Sequence, residues 1–252
     1  MNRVTEIDTS VPHPGRMYDF YLGGSTHFPA DRDAARKILA VLPEGRDMAI
    51  ANRSFLGRAV RFLTEQGISQ FLDIGTGIPA PGSAADVARK ADLAARVVAV
   101  DNDPIVVRYA PNTVRADLRD PASLLGNRAI RSALDLRRPM AVLLVAVLHF
   151  VRDCEDPEGI VNTVKSFMTP GSYLVISHGT QDFNPARAAE AARGYDRATT
   201  PFVVRTKEQI AGFFDGLDLV EPGLVQLPYW RPDGDRPVDP DRIWLYGGVG
   251  RK

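Results

Sequence analysis

The feature that most constrains the fold of this chain is an ordered alternation of short apolar runs with helical stretches, beginning at residue 70. The runs are QFLDI (70–74), RVVAV (96–100), NTVRA (112–116), MAVLLVA (140–146), SYLVIS (172–177), LDLVE (217–221) and RIWLYGG (242–248), and helices are expected between them at 82–91, 121–134, 156–168, 184–197 and 206–214. Strands that alternate with helices predict a mainly parallel sheet covered on both faces. AVLLVA is apolar without alternation, as a central strand buried on both faces requires. The last two runs flank the proline-rich stretch YWRPDGDRPVDPDR (229–242). A terminal hairpin with one antiparallel strand is the expectation there. No internal repeat or low-complexity tract interrupts the pattern.

Upstream, residues 1 to 15 are polar and contain Pro12 and Pro14, which predicts a loose arm. Three helices follow. The first is short, around RMYDFYLGG. The second is DRDAARKILAVL (31–42), with apolar residues at helical spacing and Pro43 as its stop. The third is DMAIANRSFLGRAVRFLTEQG (47–67), with Gly67 in a C-cap position. The division expected is an arm and helical cap over 1–67 and a core over 68–252.

The first strand runs into FLDIGTGIPAPG (71–82), where Gly75, Gly77 and Ala80 have the spacing of a dinucleotide-binding turn. Glycines there turn the chain sharply and bring backbone close to a ligand. A diphosphate would be held on the N-terminus of the next helix. Pro79 and Pro81 interrupt that helix start and remove two N–H donors, and Asp73 adds negative charge beside a diphosphate. NAD is therefore disfavoured. S-adenosylmethionine carries no phosphate, and a carboxylate suits its ammonium. Asp101 ends the second strand, where it can accept from both ribose hydroxyls. Asp117 follows the third strand, placed to meet the adenine amino group, with the backbone N–H of Leu118 toward the ring. Three acids ending three successive strands, with G-x-G on the first, point to S-adenosylmethionine. Thr76, Asn102 and Ala146 join the expected cofactor contacts, and Tyr21 and Gly23 are expected to reach the cofactor from the RMYDFYLGG segment.

Lys plus Arg number 31 against 31 for Asp plus Glu, so the formal charge is zero and argues against a nucleic-acid scaffold. The single cysteine, Cys154, lies between Asp153 and Glu155, which disfavour its thiolate. Four scattered histidines give no metal-ligand spacing, and DCEDPE (153–158) reads as a solvated helix N-terminus. The most apolar run, 140–151, is too short to span a bilayer, and the first residues lack an apolar signal core. A cytoplasmic monomer or homodimer is expected.

The chain resembles the class I S-adenosylmethionine-dependent methyltransferases. More narrowly, it is similar to an actinobacterial family long labelled only as a domain of unknown function. The resemblance covers nearly the whole chain and rests on PHPGRMYDFYLGG, ANRSFLGRAVRFL, QFLDIGTGIP, VVAVDNDPIV, ADLRDP, AVLLVAVLHFV, PGSYLVISH and WLYGGVGRK. It implies a Rossmann-like methyltransferase fold, a seven-stranded, mainly parallel sheet with its last strand antiparallel, plus an N-terminal helical cap. It implies no particular methyl acceptor. Two departures stand out. LGG is followed by Ser25, Thr26 and His27 rather than by a lysine and an asparagine, and only PIVVRYAP separates DNDP from the third strand, which shortens a helix.

Methyl transfer needs orientation and desolvation, and a base only where the nucleophile must lose a proton. His149, just after the fourth strand, and His178, at the end of the fifth, are the candidate bases or substrate contacts. His27 is a weaker candidate, and His13 is expected at the surface. RMYDFYLGG reads as a lid, with Arg16 on a carboxylate and Tyr18 or Tyr21 against the ligand. Tyr195, Trp230 and Arg231 are candidates for an acceptor pocket. The expected function is O- or N-methylation of a small molecule. A non-catalytic S-adenosylmethionine-binding regulator is the alternative, and a dinucleotide oxidoreductase a third.

Overall fold

The computed structural model describes residues 8–234 and 239–252. The first seven residues of the expected arm and residues 235–238 of the proline-rich loop lie outside the described residues. Three helices, α1 (Pro14–Tyr21), α2 (Pro29–Val41) and α3 (Gly45–Glu65), come first. Then follow β1 (Gln70–Ile74), α4 (Ala84–Ala91), β2 (Arg96–Asp101), α5 (Pro104–Tyr109), β3 (Val114–Arg115), α6 (Pro121–Gly126), α7 (Arg128–Ala133) and β4 (Ala141–Val145). The chain continues through α8 (Pro157–Phe167), β5 (Tyr173–Gly179), α9 (Pro185–Arg193), α10 (Lys207–Gly212), β6 (Asp218–Leu219), β7 (Val225–Gln226) and β8 (Leu245–Arg251).

The strand order is β3-β2-β1-β4-β5-β8-β6, with β7 also paired to β8. Strands β1 to β5 are parallel, and β8 is antiparallel to β5, β6 and β7. The sheet thus has eight strands rather than the expected seven. The additional strand is the two-residue β7, too short to carry a periodicity that sequence can show. The helix expected over 121–134 is two helices. They divide at Asn127, whose side chain accepts the Ala129 N–H at 2.9 Å and caps α7. Six residues of α5 are all that fits between β2 and β3, in keeping with the shortened helix.

Alternation along each strand divides the core between the two faces of the sheet. Leu72, Ile74, Val142, Leu144, Leu174 and Ile176 pack with α6, α7, α8 and α10. Phe71, Leu143, Tyr173 and Val175 pack with α3 and α4. Phe55, Ala59, Val60 and Leu63 of α3 are fully buried in that second cluster, so α3 is a layer of the core and not only part of the cap. Helices α1 and α2 form a separate cluster with Tyr195. The strand order reverses where β1 lies between β2 and β4, and the crevice beyond the carboxyl ends of these strands is where such sheets bind ligands. No helix among the described residues is long and apolar enough to cross a membrane.

Candidate functional site

At the end of β1 the chain turns with Gly75 at φ +77° and Gly77 at φ +70°. A Cβ on Gly75 would lie 2.7 Å from a methyl of Val147, so glycine is required there for space as well as for dihedral angle. Helix α4 starts only at Ala84, capped by Ser83, so the turn has no helix N-terminus of its own to offer a diphosphate. The Thr76 hydroxyl donates to Asp73 at 2.8 Å. The backbone N–H groups of Gly77 and Asp103 donate to the two oxygens of Asp101 at 2.8 and 2.9 Å. Both carboxylates are buried, and burial raises both pKa values, that of Asp101 to about 6. Two carboxyls held this way at one turn call for hydrogen-bond donors and a positive group opposite them.

Asp117 differs. Burial raises its carboxyl, but hydrogen bonds from Arg119 and Asn102 outweigh that and hold it down at about 2. The Arg119 side chain reaches it at 3.0 and 2.6 Å, and Asn102 at 3.3 Å. Its ability to accept is thus shared with Arg119. Leu118 is buried beside it. Beyond β4, Ala146 is held at φ +56°, an unusual conformation for a residue with a side chain. Its N–H donates to the Ser177 hydroxyl at 2.9 Å.

The cap is fastened to this end of the sheet by buried charge. Arg16 lies between Asp103, at 3.2 Å, and Asp31, at 3.6 Å. Its carboxylate partners belong to the protein, not to a ligand. His13 lies 3.3 Å from Asp103 and caps α1 by accepting from Gly15. Far from being at the surface, its side chain is only 15% exposed and its residue lines the cavity, and burial lowers its pKa. Tyr18 and Tyr21 of α1 line the cavity. Gly23 lies just past α1 at φ +79° and is not part of the cavity wall. His27 pairs with Asp19 at 2.9 Å and braces the divergent Ser25–His27 turn, also away from the cavity wall.

His149 faces the cavity, and His178 does not. His178 is fully buried, with Nδ1 2.7 Å from the Gly179 carbonyl and Nε2 2.9 Å from Arg205, and burial lowers its pKa to about 3. Both of its ring nitrogens are thus engaged, and it has none to offer a substrate. The Nδ1 of His149 accepts the Gly179 N–H at 3.2 Å, which leaves the ring proton on Nε2. Burial lowers its pKa well below the usual range, with His178 and Arg205 adding to the effect. Tyr195 lines the cavity, but Trp230 is fully buried against Phe55 and Phe62, and Arg231 stacks on Phe62 at 4.1 Å. Trp230 and Arg231 therefore belong to packing. Among the described residues, no cluster of His, Cys, Asp or Glu is arranged to hold a metal ion. Asp156, in the acidic DCEDPE stretch, caps α8.

One continuous cavity collects Asp73, Gly75, Thr76, Gly77, Asp101, Asn102, Asp117, Leu118 and Ala146 at one end, and Tyr21, His149, Phe150, Tyr195 and Phe202 at the other. It also reveals a residue that the sequence reading overlooked. Arg53 of α3 lines the cavity, and its buried Nε has no hydrogen-bond partner. Its guanidinium lies 5.6 Å from the Tyr18 ring and forms no ion pair among the described residues, and its charge opposes the rise in the Asp73 pKa. A pair of buried carboxyls, an unpaired guanidinium and no phosphate-binding helix end fit a zwitterionic amino acid joined to a ribose. The only hint in the sequence was an arginine one residue after Asn52 on the inward face of a long helix.

The whole chain, residues 1–252, matches the model of a family described as S-adenosyl methyltransferase. It is similar to a solved DUF574 family protein from Streptomyces avermitilis MA-4680, with 40% identity, a TM-score of 0.94, and coverage of 98% of this chain and 100% of that one. A solved protein from Thermobifida fusca YX gives 37% identity and a TM-score of 0.91 over 97% of this chain and 96% of its own. The plantazolicin methyltransferase BamL, solved with S-adenosylhomocysteine, shares only the fold, at 10% identity and a TM-score of 0.54 over 94% of this chain and 95% of that one. No curated protein sequence matches the chain.

Proposed function

Since the chain belongs to the S-adenosyl methyltransferase family, we propose that it methylates a small molecule at oxygen or nitrogen. Its donor is S-adenosylmethionine. The observation that carries the proposal is the single cavity, acidic at the turn after β1 and apolar where it passes Ala146 toward His149 and Tyr195. The donor supplies a sulfonium methyl: the acceptor lone pair forms the new bond to carbon as the carbon–sulfur bond breaks, its electron pair passes to sulfur, and any proton on the attacked atom leaves to water.

The residues then divide the work. Asp73, oriented by Thr76, takes the ammonium, and Arg53 takes the carboxylate beside it. Asp101 accepts from the ribose hydroxyls with the lone pairs that Gly77 and Asp103 leave free. Asp117 and Leu118 border the adenine. Helix α1 roofs the cavity and keeps water out, which lowers the barrier by desolvation and orientation. His149 acts as an acceptor contact through its Nε2 proton, because its other nitrogen is already engaged.

Calorimetric titration with S-adenosylhomocysteine, followed by transfer of labelled methyl into a metabolite extract, tests this. Absence of binding refutes the proposal. Binding without label in any metabolite favours the non-catalytic regulator.

A further inference from the structure

We infer that the methyl acceptor is an uncharged, aromatic or similarly planar apolar molecule that already carries a free lone pair on the attacked atom. The inference rests on the methyltransferase reading above and extends it to the far half of the cavity.

Ile38, Leu42, Met48 and Leu56 of the cap and α3 give the cavity an apolar lining. Phe150, Tyr195 and Phe202 line it as well, and Ile38 packs in one cluster with them. The Tyr195 and Phe202 rings stack at 5.2 Å with 28° between their planes, and Phe150 lies 5.4 Å from Phe202 and 5.7 Å from Tyr195. Three rings in mutual contact offer planar surface to a planar guest, with a preference beyond the area buried.

Among the described residues, no aspartate, glutamate or lysine lines this half. Burial disfavours the charged forms of His149, Tyr195 and Tyr21 there. Burial lowers His149 well below its usual range, raises Tyr195 to about 12, and raises Tyr21 well above its usual value. Arg53 acts on Asp73, at the other end of the cavity. A charged acceptor entering here would give up its hydration with no counter-charge, a cost that the apolar lining does not return.

The polar handles are few and weak. The Tyr21 and Tyr195 hydroxyls are 3.4 Å apart, longer than a good O–H···O bond. Either is therefore free to turn toward one oxygen or nitrogen of a guest. His149 offers no free proton acceptor, because its Nδ1 already takes the Gly179 N–H. The attacked atom must therefore be nucleophilic as it arrives, and any proton it bears departs to water after transfer.

The test is a ligand-observed NMR screen against the protein saturated with S-adenosylhomocysteine, using matched sets of neutral aromatics, aromatic carboxylates and aromatic amines carrying positive charge. Neutral aromatics should bind best, and Phe202→Ala should weaken them about threefold to tenfold, the usual worth of an aromatic contact. A persisting rise in melting temperature with S-adenosylhomocysteine verifies that the variant is folded. If Phe202→Ala does not fold, Leu42→Ala in the same cavity lining gives the same readout. Preferential binding of either charged set, or no binding of neutral aromatics, overturns the inference. Failure of S-adenosylhomocysteine itself to bind refutes the methyltransferase reading instead.

Discussion

The Ser177 hydroxyl lies 2.5 Å from the side-chain oxygen of Asn52, inside a chain of buried hydrogen bonds that crosses from sheet to cap. Ala146 donates its N–H to Ser177, Ser177 donates to Asn52, the Asn52 amide donates to Tyr18 at 3.0 Å, and Tyr18 donates to the Ala49 carbonyl at 3.0 Å. The unusual backbone angle of Ala146 is thus held by side chains from β5, α3 and α1. Removing one link leaves the next buried group without a partner. Asn52→Ala and Ser177→Ala should each cost about 1–3 kcal/mol. The double variant should cost less than the sum, because the links are shared. Denaturant midpoints of the four proteins check both statements, and full additivity would deny the chain.

The Asp101 carboxyl, raised to about 6 by burial, is set to accept hydroxyl protons only when ionised. Donors from a ribose favour the ionised form, so binding releases a proton below that pH. Affinity for S-adenosylhomocysteine should be level above pH 6 and fall below it by up to about tenfold per pH unit. The sign for folding is the reverse. A raised carboxyl contributes stability that is present below the ordinary 3.8 and is lost as pH rises through about 6. Titrations at pH 5, 6 and 7 in wild type and Asp101→Asn distinguish this from general acid weakening, since the variant should lose the pH dependence together with the affinity.

Arg53 should discriminate between ligands. S-adenosylhomocysteine has an amino acid end, and 5′-methylthioadenosine has none. Arg53→Gln should weaken the former by about ten- to a hundredfold, the worth of a charge-assisted hydrogen bond in a buried site, and leave the latter unchanged. An equal loss for both ligands would mean that Arg53 only supports the fold of α3.

The two glycines of the turn should respond differently. Gly75→Ala meets both a methyl of Val147 at 2.7 Å and a positive φ, whereas Gly77→Ala has no heavy atom within 4 Å and meets only the positive φ. Gly77→Ala should cost about 1–2 kcal/mol of stability, the price of the left-handed conformation. Gly75→Ala should cost more and should also displace Val147 from the cavity wall, weakening cofactor binding. Melting and binding measured side by side separate the two effects.

Much of this was legible in the chain. The acids at the ends of β1, β2 and β3 were readable because their place depends only on where strands end, and strand ends follow from local apolar runs. All three line the cavity, although Asp117 proved to be partly claimed by Arg119, a neighbour two residues along. His178 shows the limit. Its place at a strand end suggested the rim, but side chains alternate along β5, and His178 falls with Leu174 and Ile176 on the face covered by α8 and α10. A strand end fixes depth, and parity fixes the face. Arg53, Asp103 and the buried position of His13 were not legible, because each depends on how α1 and α3 meet the sheet. No local pattern encodes that docking.

Asp103 has a place in two structures at once. Its N–H positions Asp101, and its carboxylate pairs with Arg16 of the cap and lies 3.3 Å from His13. The roof and the ribose site are thus one mechanical unit. Anyone who wishes to graft a different roof onto this sheet, to redirect the enzyme to another acceptor, must move His13, Arg16, Asp31 and Asp103 together. A roof transplanted without them would leave a carboxylate sealed in the protein without its cation, and the first function to suffer would be the grip on the donor rather than the choice of acceptor.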